Sequence, residues 1–91
     1  MLYLNNEGHM LQGLESTLRL ELVISLSSIR SDGQKMALHK HFVDGLNFSA
    51  SAAIAEITES NFQRAIDRVQ EIDTTIEAIK EHDWARFKSE K

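Results

Sequence analysis

Apolar residues recur at steps of three and four through most of the chain. Leu11, Leu14, Leu18, Leu22, Leu26 and Ile29 fit that spacing over residues 11–29. Leu18, Leu20, Leu22, Ile24 and Leu26 also alternate as a strand would, and length arbitrates for a helix. A second helix is predicted over residues 33–44, with Met36, Leu38, Phe42 and Val43 as its buried side. Ser31 and Asp32 stand where its cap belongs, and Gly45 is a left-handed stop. A short alanine-rich helix over residues 50–56 follows, with Ser49 as its N-cap. Thr58 then caps a fourth helix, and Glu59 suits the positive end of its dipole. From there Phe62, Ala65, Val69, Ile72, Ile76 and Ile79 alternate steps of three and four, an a/d pattern of about two and a half heptads. That seam packs either on the first helix or between chains. The tail "KEHDWARFKSEK" keeps Trp84 and Phe87 three apart, to anchor on the body or on a partner.

With no proline and only four glycines, nothing supplies the turn chemistry of a multi-stranded β-fold. The expected class is all-α. A length of 91 residues makes one domain, 1–91, with no repeat or linker. A domain this small buries somewhat over 60% of its unfolded surface, so its stability is modest and a dimer would help it. The absence of cysteine removes disulfides and thiol chemistry, which fits a reducing cytoplasm. The N-terminus "MLYLNNEGHM" has no secretory pattern, and no stretch is long and apolar enough to span a bilayer. Net charge is −4 and the pI about 5.5, which works against non-specific nucleic-acid binding but leaves room for a local basic patch.

The third and fourth predicted helices, joined by a tight turn, have the spacing of a helix-turn-helix over about residues 49–70. With Ile57 as the apolar residue of the turn, Ala52 falls at the close-contact point, Ala55 precedes the turn, and Phe62 and Ala65 face inward. Glu56 then occupies the left-handed position that glycine usually takes. Many packed hairpins would satisfy this pattern too. The outward residues of the second helix are Thr58, Glu59, Ser60, Asn61, Gln63, Arg64, Asp67 and Arg68. Its N-terminal part is the one that approaches base edges in such motifs. Asn61 and Gln63 carry the paired donor and acceptor that suit adenine, and Arg64 suits guanine or phosphate. Lys35, His39, Lys40, His41 and Arg68 are candidate phosphate contacts. Across residues 35–69, the bases Lys35, Lys40, Arg64 and Arg68 are matched one for one by Asp44, Glu56, Glu59 and Asp67. A neutral domain binds phosphates weakly alone, and copies side by side add up.

The stretch "LSSIRSDGQKMALHKHFVDG", followed by "SASAAIAEITESNFQRAIDRVQEI", resembles the PapB-type family of fimbrial (adhesin biosynthesis) transcription regulators of enteric bacteria. The junction of Ser27, Ser28, Ile29, Ser31 and Asp32 carries most of the resemblance. Gly45, Phe62 and the Arg68-Val69 pair extend it, so that it covers residues 22–72. It implies an all-α DNA-binding domain that assembles side by side along repeated AT-rich sites and controls a fimbrial operon. Asn61, Gln63, Arg64 and Arg68 would inherit the contacts to double-stranded DNA.

Other chemistry finds no frame. His39 and His41, two apart on a helix, point to different faces and share no metal. "SDGQK" lacks the frame of a phosphate loop, and no serine lies in a nucleophile motif. Neither an enzyme, a cofactor, a membrane partner nor a small-molecule effector is expected. Two functional readings follow: a cytoplasmic, homo-oligomeric DNA-binding regulator, or an acidic helical interaction protein, an adaptor or an antagonist that captures another regulator, with little or no direct DNA binding.

Overall fold

The computed structural model describes residues 10–89. The N-terminal stretch read above as lacking a secretory pattern lies outside them, apart from Met10. Four helices follow one another: α1 (Thr17–Ser25), α2 (Asp32–Phe42), α3 (Phe48–Ala55) and α4 (Glu59–Ser89). No strand occurs among the described residues, and the fold is all-α as the patterning predicts. No helix is long and apolar enough to cross a membrane among these residues.

Each helix starts where a side chain satisfies an orphan N–H of its first turn. Ser16 accepts from Arg19 N–H at 3.1 Å, Ser31 from Gln34 N–H at 3.1 Å, and Thr58 from Asn61 N–H at 3.0 Å. For α3 the cap is Asn47, whose Oδ1 accepts from Ala50 N–H at 2.8 Å, and not the expected Ser49. The helix begins early because Phe48 stacks on Phe62, with ring centroids 5.2 Å apart. Ser49 is thereby left to donate to Glu59 at 2.8 Å, tying α3 to the start of α4.

The first helix departs most from expectation. Residues 11–16 form a turn, not helix. Gly13 sits at φ +73 and its N–H donates to the His41 carbonyl at 3.1 Å, while Glu15 N–H donates to the Phe42 carbonyl at 3.0 Å. The turn presses against Gly45, itself at φ +87 as the stop after α2. A Cβ on Gly13 would lie 3.1 Å from the Gly45 Cα, and φ +73 strains any other residue, so glycine suits this crossing. The buried face of α1 is also the other one. Leu20, Val23 and Ile24 are buried, whereas Leu11, Leu14, Leu18, Leu22 and Leu26 are all more than half exposed.

Arg19 sets that rotation. Its guanidinium meets the fully buried carboxylate of Asp73 at 2.6 Å and Glu77 at 3.0 Å, with Glu15 at 3.8 Å. Burial opposes its charge, but the hydrogen bond to Asp73 and the three carboxylates outweigh burial and raise its pKa above the ordinary arginine value. A buried carboxylate must be paired, so α1 turns Arg19 toward α4 and the leucine ridge toward water.

The core joins Met10, Leu20, Val23, Ala37, Leu38, Phe42, Ala52, Phe62, Ala65, Val69 and Ile72. Of the expected buried side of α2, Leu38 and Phe42 are in place and Val43 is half-buried. Met36 is exposed, and Ala37 is buried in its place. The α4 seam is buried through Ile72, half-buried at Ile76 and exposed at Ile79. Beyond it α4 continues as helix through the tail, and the described part of the molecule measures 51 × 21 × 20 Å. Trp84 and Phe87 stack on each other at 5.7 Å with Lys88 over the indole, and both rings are mostly exposed.

Candidate nucleic-acid interface

The hairpin of α3 and the first turns of α4 has the contacts that its sequence register demands. Ala52, Phe62 and Ala65 are buried, and Ala55 and Ile57 are half-buried against the same core. The chain reverses at Glu56, with φ 60 and ψ 42, and Ile57 N–H donates to the Ala52 carbonyl at 3.1 Å. The α2 helix wedges into this turn. A Cβ on Gly33 would lie 2.7 Å from Ile57 Cγ2, so a larger residue there would force Ile57 or α2 to shift.

The candidate DNA-contacting residues fall into different situations. Arg64 is exposed and makes no side-chain bond among the described residues. Arg68, one turn on, is exposed and donates to Glu71 at 2.8 Å, a surface pair of small net strength. Gln63 is exposed and donates to Asp67 at 2.8 Å. Asn61 faces inward from its expected place. It is half-buried, and Gln34 of α2 donates to its Oδ1 at 3.0 Å and to its carbonyl at 3.1 Å.

The acids compete less than their spacing along the chain suggests. Glu59 and Arg64 are five residues apart, hence about 140° apart around the helix, while Arg64 and Arg68 differ by about 40°. Glu59 also points toward α3, where it accepts from Ser49. Asp67 is occupied by Gln63. The two arginines thus share one flank of α4, where Glu71 pairs with Arg68 and Asp67 lies about 60° round the helix from Arg64.

The α2 basic residues do not extend it into one stripe. Lys35 and Lys40, five apart, also diverge by about 140°. Lys40 pairs with Asp44 at 3.6 Å, and Lys35 is half-buried with no side-chain partner among the described residues. His39 lies 3.9 Å from Glu21, and His41 Nδ1 is 2.8 Å from the Leu46 carbonyl with its ring edge-on to Phe42 and Phe62. The two rings diverge, and no group of three metal-ligating side chains occurs among the described residues.

Two residues of this surface were not singled out from sequence. Gln34 orders Asn61, and Arg30 stands exposed in the loop that enters α2. The signal for both lay within the Ser27–Asp32 junction and the residues just after it, read there as a helix cap and as the carrier of the family resemblance.

Comparisons with known proteins agree with this architecture. A family model described as PapB, adhesin biosynthesis transcription regulatory protein, matches residues 1–82. No curated protein matches the chain in sequence. The crystal structure of FocB from E. coli is similar in fold, with a TM-score of 0.74 over 80% of this chain and 83% of that one, at 19% sequence identity.

Proposed function

The chain belongs to the PapB family of adhesin biosynthesis transcription regulatory proteins, and from that premise we propose that it binds double-stranded DNA directly and controls a fimbrial operon. It does so as a homo-oligomer on repeated AT-rich sites in the cytoplasm. The α3–turn–α4 hairpin acts as a helix-turn-helix. Arg64 and Arg68 neutralise phosphates or reach base edges, and Gln63 lies about 100° round the helix from Arg64, bonded to Asp67. Asn61 serves this surface by docking on Gln34. The observation that carries the reading is the pairing of Arg64 and Arg68 on one exposed flank of α4, turned away from Glu59.

Self-association belongs to the same reading. Leu18, Leu22 and Leu26 make an exposed ridge, and Leu26 lines one groove with Ile72, Ile76 and Ile79 of α4. An apolar surface of this extent on so small a protein suits a second copy of the chain. Copies held side by side offset the weak binding of one near-neutral domain.

The rival reading, an acidic interaction protein with no direct DNA role, draws on the net charge of −4 and that same ridge. A gel shift with AT-rich repeats at two salt concentrations separates them. Direct binding should weaken steeply with salt, and Arg64→Ala with Arg68→Ala should abolish it while leaving the helical circular dichroism intact. An unmutated chain that binds no duplex even at low salt would favour the rival.

A further inference from the structure

We propose that Arg30 is a third phosphate contact, set by the α1–α2 loop beside Arg64 and Arg68, so that one basic band grips the backbone of duplex DNA. This rests on the DNA-binding reading above. The loop runs along α4 in a defined direction. At its start, Leu26 lines a groove with Arg68, Glu71, Ile72, Thr75, Ile76 and Ile79. Just beyond its end, Gln34 is bonded to Asn61, and Gly33 abuts Ile57. The chain therefore descends α4 from the level of Arg68 and beyond to that of Asn61. Arg30, midway between Leu26 and Gln34, passes at the level of Arg64 and Arg68. It passes on the flank those two arginines share.

The side chain is aimed outward by its neighbours. Ser27 Oγ donates to the Ile24 carbonyl at 2.6 Å and accepts from Ile29 N–H at 3.1 Å, closing the end of α1. Ile29 packs on the core. Ser31 is extended, at φ −68 and ψ 125, and caps α2. Successive side chains of an extended segment point to opposite sides, so Ile29 inward puts Arg30 outward. Anchors on both sides hold the loop backbone, so little backbone order is lost when Arg30 takes a phosphate. Its guanidinium has no partner among the described residues, and Arg64 has none either. Three arginines on one face, two of them free, form a local positive field in a chain whose net charge is −4.

Fluorescence anisotropy of a labelled AT-rich repeat duplex, titrated with the full chain from low to moderate salt, tests this. Arg30→Ala should weaken low-salt binding about tenfold, the loss of one charge-assisted contact. It should also lower the log–log salt slope by about one. Arg30→Lys should retain the slope, and the thermal midpoint of Arg30→Ala should match the unmutated chain, because the side chain is exposed. Lys80→Ala removes the same charge further along α4 and should leave affinity and slope unchanged. The proposal falls if Arg30→Ala binds with undiminished affinity and slope, or if Lys80→Ala loses as much, which would mean bulk charge alone. An unmutated chain that binds no duplex would bring down the DNA-binding reading and this contact with it. Binding by that chain with an unaffected Arg30→Ala would bring down this contact only.

Discussion

Glu56 is the one residue other than glycine with positive φ among the described residues, and it stands at the turn on which the hairpin geometry depends. A side chain in that region costs roughly 1–2 kcal/mol, part of which glycine returns as unfolded-chain entropy. Glu56→Gly should therefore stabilise the protein by about 0.5–1 kcal/mol, seen as a higher urea midpoint. A lower midpoint would mean that the turn holds no such strain. The position was legible in sequence because the helix-turn-helix register leaves only one place for it. Asn47 as a cap was not, because Ser49 two residues on is as good a candidate by type. The choice fell to the stacking of Phe48 on Phe62, a contact between residues far apart in the chain.

At the scale of elements, α1 is held on α4 by an ion pair as well as by apolar contact. Removing one partner of a buried pair leaves the other charged and desolvated, which costs about 3–5 kcal/mol. Arg19→Met exposes Asp73 to that penalty. The Arg19 side chain is itself a third exposed, so the loss should fall near the low end, about 3 kcal/mol by urea denaturation. Adding Asp73→Leu should recover much of it. If Arg19→Met alone left the midpoint unchanged, the pair would not hold α1. The rotation of α1 was not legible from its own sequence. Apolar residues occur on nearly every side of this helix, so a count of periods could not pick the buried face. The partner that picks it, Asp73, lies 54 positions away and reads in isolation as one more exposed acid. The seam of α4 was legible as far as Ile72 because its opposite face is consistently polar.

At the scale of the whole molecule, the described chain is longer in one direction than the other helices can cover. The far part of α4 and the leucine ridge of α1 remain on the surface. With self-association through this surface, replacing Leu18, Leu22 and Leu26 together by glutamine should reduce the molar mass in light scattering to that of one chain. Circular dichroism should stay helical, since none of the three is buried. An unchanged mass would place the contact elsewhere. The α4 seam was open to two readings in sequence: its first part is filled by this chain's own core, and Ile79 is exposed.

Local chemistry was enough to determine the all-α class, four helices, the stop at Gly45 and the strained turn at Glu56. These depend on periodicity, caps and φ preference, which act over a few residues. Which face of α1 is buried and that Asn61 docks on α2 were decided by packing between segments 27 or more positions apart. A charge on a helix has no fixed neighbourhood until other elements are placed against it. Here that placement ties Glu59 to Ser49 of α3, on a different side of α4 from Arg64 and Arg68.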